Sequence, residues 1–156
     1  MKRHPYLQPL SRQHHLGLSL ATKAKQCTDT PSDIQAHWHA LIAYLDEQTH
    51  RHFAIEEAYI AKVLLAKLTD PQQPTQITAH NLAKELMTQH EALHRLTQLT
   101  NPTADDVINL ANALYEHIRF EEREVFPLAQ ELLSESELLA VYQASDDKAK
   151  QPNTNR

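Results

Sequence analysis

A single glycine, Gly17, stands in a chain of 156 residues, and this scarcity narrows the possible folds more than any other feature. Tight turns between strands draw on glycine for positive φ, so a chain nearly without it is expected to be helical. Eight prolines fall at the N-terminus (Pro5, Pro9), at Pro31, Pro71 and Pro74, Pro102, Pro127 and Pro152. They read as punctuation between long uninterrupted segments.

Five helical segments are predicted: about 10–27, about 32–68, about 76–99, one from Thr103 to Pro127 or a turn or two beyond, and a short one after Ser134. Thr103 with Asp106, and Ser134 with Glu137, have the spacing of a capping box. Short connections favour antiparallel neighbours. The expected fold is therefore all-α, an up-down-up-down four-helix bundle with a short extra C-terminal helix. The length suits one domain over residues 1–144, and the polar stretch 145–156 reads as a disordered tail. No internal repeat is visible.

A formal charge of −5 and the lack of any Lys/Arg run argue against a nucleic-acid surface. No apolar stretch approaches the roughly 20 residues of a membrane span. No apolar region follows the basic N-terminus as in a secretory signal. The one cysteine, Cys27, has no partner for an internal disulfide, which suits a reducing, cytoplasmic setting. The chain is expected to be a monomer or a homodimer.

Histidine is the anomaly, with eleven residues. At about 100° per residue, each can be placed against the apolar stripe of its helix. In the second segment Ile34, Trp38, Leu41, Leu45, Tyr59 and Val63 fall within about 40° of His52, and so does Glu56. His39 and His50 fall on the far side, and His37 is borderline. In the fourth segment Leu110, Ala113, Leu114 and Leu128 lie within about 60° of His117, and Glu121 is close to it. In the third, His90 and His94 are one turn apart beside Ala83, Leu86, Met87 and Leu93. In the first, His14 lies at the edge of the face formed by Leu10, Leu16, Leu18, Leu20, Ala21 and Ala24, whereas His15 is nearly opposite. The inward set is His14, His52, Glu56, His90, His94, His117 and Glu121.

A buried carboxylate without a partner is costly. Two of them among imidazoles call for cations, which turn both groups into ligands. Five nitrogens and two bridging carboxylates suit two six-coordinate ions with an oxo or hydroxo bridge and one open position. Mixed N/O ligation fits iron or manganese; the expected cofactor is two iron ions, Fe2+ or Fe3+, with manganese or zinc as possible substitutes. Each piece alone is commonplace: a core histidine usually packs, and a Glu doublet such as Glu56-Glu57 or Glu121-Glu122 is usually solvated. The pattern is informative because it recurs on the apolar stripe of successive helices. His4, His15, His37, His39, His50 and His80 are left without a role, and Cys27 is a small core or boundary residue.

Leu10-Ser11-Arg12-Gln13-His14-His15, His52-Phe53-Ala54-Ile55-Glu56-Glu57, Gln89-His90-Glu91-Ala92-Leu93-His94 and His117 to Pro127 resemble the successive helices of hemerythrin-like, HHE cation-binding domains. The resemblance covers about residues 10–133. It implies that His90, His94 and His117 bind one iron, that His14 and His52 bind the other, and that Glu56 and Glu121 bridge. The second iron would hold the open position for dioxygen, nitric oxide or another small ligand. Hemerythrins of the oxygen-binding type carry His-x-x-x-x-Asp on the last helix. Here Glu122 has that spacing and Glu121 is better placed, which resembles the broader HHE branch, including the iron–sulfur cluster repair proteins. Sensing, storage or stress protection is therefore expected ahead of oxygen carriage.

Several rivals compete. A di-iron oxidase or peroxidase-type enzyme, or an activity like iron–sulfur cluster repair, would use the same centre. His90-Glu91-Ala92-Leu93-His94 is formally HExxH, a zinc-peptidase motif, but it leaves His52, Glu56 and His117 unexplained. A ferritin-like carboxylate centre would need Glu47-x-x-His50, which points away from the stripe, and an acid on the first helix, which has none. A metal-free helical interaction module is the plainest alternative.

Overall fold

The computed structural model describes residues 2–145, and all regular structure in them is helical. A 3-10 turn, Pro5–Leu7, leads into α1, Gln8–Ala24. Helix α2 spans 31–66: α-helical Pro31–Gln48, Ala54–Glu56 and Lys62–Ala66 alternate with π-helical Thr49–Phe53 and Glu57–Ala61. Helix α3 is Pro74–Thr97. Helix α4 spans 104–132 as Ala104–Phe120, π-helical Glu121–Val125 and Phe126–Leu132. Helix α5 is Glu135–Ser145.

The helix starts follow local chemistry. Thr103 Oγ1 accepts from the Asp106 N–H at 3.1 Å while Asp106 Oδ2 accepts from the Thr103 N–H at 2.9 Å, the expected capping box. Ser134 and Glu137 repeat it at 3.1 and 2.9 Å. Pro31 and Pro74 open α2 and α3, where a missing N–H costs nothing. One non-glycine residue among those described takes positive φ: Asn101, at 52°, in the α3–α4 connection. Asparagine tolerates that region, so the turn needs no glycine. Gly17 serves packing instead: a Cβ there would stand 2.5 Å from Tyr44 Oη and 2.6 Å from Tyr44 Cζ.

The core is divided in two. One apolar cluster contains Leu7, Leu10, Ile60, Leu64, Leu86, Val125, Phe126 and Val141. The other contains Ala21, Trp38, Leu41, Leu45, Phe53, Leu93, Leu110, Leu114, Ile118 and the buried Cys27. In α1 and α3 the residues of the first cluster precede those of the second along the chain, and in α2 and α4 the order is reversed. Helix α5 adds Leu138 and Val141 to the first cluster.

Two expectations change. Leu16 and Tyr59, assigned to inner faces, are 58% and 40% exposed. For Tyr59 the cause is the π turns at Thr49–Phe53 and Glu57–Ala61, which widen the helix and turn its later residues away from the 3.6-residue wheel. The polar tail expected over 145–156 lies outside the described residues except for Ser145, which is the buried last residue of α5, its hydroxyl donating to the Val141 carbonyl at 2.6 Å. No helix among the described residues is long and apolar enough to cross a membrane.

Candidate metal centre

Between the two apolar clusters each of the four long helices contributes polar side chains to one buried layer. His14 comes from α1, His52 and Glu56 from α2, His90 from α3, and His117 and Glu121 from α4. Both carboxylates are fully buried, and the imidazoles are at most 4% exposed. Two groups form, His14–His52–Glu56–Glu121 and Glu56–His90–His117–Glu121, with the ligand-type atoms of each all within 4.8 Å of one another.

The carboxylates belong to both groups, and each divides its oxygens between them. Glu56 sends Oε2 to His52 Nε2 at 2.8 Å and Oε1 to His90 Nε2 at 3.1 Å. Glu121 sends Oε1 to His14 Nε2 at 2.7 Å and Oε2 to His117 Nε2 at 2.8 Å. His14 Nε2 and His52 Nε2 face each other at 3.2 Å. Despite these approaches, Glu56 Oε1 and Oε2, Glu121 Oε1 and His117 Nε2 are buried without a properly directed hydrogen bond. Orphaned acceptors converging on shared space suit cations better than one another.

The outer ring nitrogens are all committed. His14 Nδ1 donates to Glu122 Oε2 and His90 Nδ1 to Glu57 Oε2, both at 2.7 Å. His52 Nδ1 donates to Gln13 Oε1 at 2.7 Å and His117 Nδ1 to Gln89 Oε1 at 2.8 Å. An oxygen acceptor on each Nδ1 fixes the proton there and leaves Nε2 for the layer. Aromatic rings hold the imidazoles flat: Phe53 stacks on His90 at 3.9 Å between centroids, and Phe126 on His14 at 5.7 Å.

These four partners escape sequence reasoning, which treats Glu57 and Glu122 as solvated. The available signal is positional. Each is the neighbour of a ligand-type residue: Gln13-His14, Gln89-His90, Glu56-Glu57 and Glu121-Glu122. Together they reveal a repeat not visible in the sequence. Gln-His on α1 or α3 meets His-x-x-x-Glu-Glu on α2 or α4, and each outer contact in one half has its counterpart in the other. The Gln-His pairs are 76 residues apart and the His-x-x-x-Glu-Glu motifs 65, so no single offset aligns them.

The carboxylates and imidazoles of the layer shift one another's acidity. Burial lowers the basicity of His14, but its contacts with Glu121 and Glu122 outweigh that and raise its pKa to about 10. Burial likewise opposes, and Glu121, Glu56 and Glu57 overcome, a rise at His90 to about 11. His52 is raised by Glu56 and Glu121 against its burial. Burial would raise Glu121, yet the close imidazoles of His117, His14 and His52 hold it well below the usual carboxylate range.

His94, expected to join His90, is exposed and outside both groups. It sits one turn further along α3, where it lines a surface cleft of about 380 Å³ with Thr49, Phe53, Ala54, Glu57, Met87, His90 and Glu91. His90 and His94 therefore do not converge as HExxH ligands. Glu47 and His50 are exposed, away from the layer. His15 is exposed where His14 is buried, and Glu122 reaches the outer nitrogen of His14 while Glu121 reaches the inner one.

The family model described as Hemerythrin HHE cation binding domain matches residues 7–129. Comparison with curated proteins and with solved structures gave no match.

Proposed function

The chain belongs to the hemerythrin HHE cation-binding family, and on that premise we propose that its buried layer binds two iron ions, with His14 and His52 on one, His90 and His117 on the other, and Glu56 and Glu121 bridging. The reading includes an up-down-up-down arrangement of α1–α4, supported by the alternation of the chain between the two apolar clusters. The observation that carries it is the division of each buried carboxylate's oxygens between two pairs of imidazoles. His94 is left out of the ligand set because of its exposure.

Iron bound there would supply redox chemistry and affinity for a small diatomic ligand, dioxygen or nitric oxide. The chain's own residues orient the imidazoles, exclude water and release protons from the ring nitrogens when an ion enters. Two histidines per ion leave coordination positions for such a ligand, which suits sensing, storage or stress protection, and the single cysteine suits a cytoplasmic setting.

Iron content and the visible spectrum in reduced, oxidised and oxygenated states test the proposal. About two irons per chain are expected, falling to one or none in Glu56→Ala and unchanged in His94→Ala. Full iron and an unaltered spectrum in Glu56→Ala would refute the site. A reversible spectral change with nitric oxide or dioxygen supports binding, whereas substrate-dependent oxygen consumption would favour an oxidase.

A further inference from the structure

The two halves of the layer match in the outer contacts of their imidazoles but differ one step further out. Behind His14, the Glu122 carboxylate meets an arginine. Arg3 Nη2 lies 3.1 Å from Glu122 Oε1 and donates to the Glu122 carbonyl at 2.7 Å, while Nη1 donates to Gln130 Oε1 at 3.0 Å. The His4 N–H donates to the same Gln130 oxygen at 2.8 Å. The guanidinium lies 5.3 Å from the centre of the Phe126 ring that stacks on His14. Behind His90, the equivalent Glu57 borders the open cleft shared with Met87 and His94. Among the described residues the cation bearing on Glu57, apart from His90, is the exposed Lys62, which acts only through its field.

We infer that Arg3 makes the two cation positions unequal, weakening binding at His14/His52 relative to His90/His117. The inference rests on the two-ion reading above. A carboxylate behind a ligating imidazole makes the inner nitrogen a better donor and adds negative charge near the ion. Arginine is always charged, so its pairing with Glu122 cancels much of that contribution, and its own charge repels a cation. Arg3 also holds Glu122 in place, which acts in the opposite sense. That effect is the smaller one, because Ser11 Oγ donates to Glu122 Oε2 at 2.9 Å and His14 anchors the same oxygen at 2.7 Å without Arg3.

The test is anaerobic Co2+ titration of the full metal-free chain, followed by visible absorption and chelator competition. Repulsion between two ions separates the binding steps even in a symmetric site, so position-specific shifts decide the matter. Arg3→Ala and Arg3→Met are expected to tighten the weaker step about tenfold and leave the stronger one unchanged. Arg3→Lys keeps the wild-type separation. Glu57→Gln is expected to weaken the stronger step by about the same factor. A weaker step that is unchanged or loosened in both Arg3→Ala and Arg3→Met would overturn the inference while leaving the two-ion site intact. Uptake of fewer than two Co2+ by the wild-type chain would overturn the two-ion reading itself, and this inference with it.

Discussion

At the scale of single residues, the close carboxylates raise the basicity of the layer's imidazoles, and this governs how the metal-free protein responds to pH. His14 and His90 rise from 6.5 to about 10 and about 11 on folding. A raised pKa contributes stability that is complete below the unfolded value and is lost as pH climbs through the folded one. Glu121 is lowered, so its contribution is present above its ordinary value of 4.5 and is lost as pH falls through the folded one. Thermal melting of the chelator-treated protein should therefore peak between about pH 4.5 and 6.5 and decline steadily towards pH 10–11. Metal addition should release protons, detectable with an indicator dye in weak buffer, and apparent affinity should fall as pH is lowered. Six residues of the layer were legible in the sequence because each interrupts an apolar stripe at a definite angle. His94 shows the limit of that method. A helical wheel reports direction around the axis, but a turn along it took His94 from the buried layer to the surface cleft.

At the scale of helices, Gly17 sets how closely α1 approaches α2. The Tyr44 ring occupies the space of a Cβ, and its hydroxyl donates to the Gln13 carbonyl at 2.9 Å, beside His14. Gly17→Ala gains about 1 kcal/mol of helix propensity, but forcing the buried Tyr44 aside costs about 1–3 kcal/mol. A net loss of about 1 kcal/mol is expected in urea unfolding, with weaker metal retention because Gln13 supports His52. The opposite result, a more stable and fully loaded variant, would show that Tyr44 moves freely. Helix ends were legible to within a few residues, since prolines and capping boxes act locally. The π turns were not. Glu56 lies between Thr49–Phe53 and Glu57–Ala61, and Glu121 opens a third, Glu121–Val125, just before Pro127, which donates no N–H. Nothing in a 3.6-residue wheel signals such widening, so it placed His52 and Glu56, four residues apart, while misplacing Tyr59 further along.

At the scale of the molecule, a charged layer separates two apolar clusters, and a cation that binds there binds the folded state alone. A ligand present at 100 times its dissociation constant adds about 2.7 kcal/mol to the folded state. Iron or Co2+ should therefore raise the melting temperature markedly, and chelation should reverse the rise. A melting point indifferent to both would count against a cation in the layer. The helical fold was legible from the scarcity of glycine, and the two-fold kinship of its halves was not, because the connecting lengths differ. A helical hairpin carrying Gln-His on its first arm and His-x-x-x-Glu-Glu on its second already holds half of the layer. A chain of half this length, dimerised about a symmetry axis, would thus contain every side chain type of the layer, but its two halves would be identical. Joining the hairpins in one polypeptide frees them to diverge, with an arginine clamp behind His14 and an open cleft beside His90.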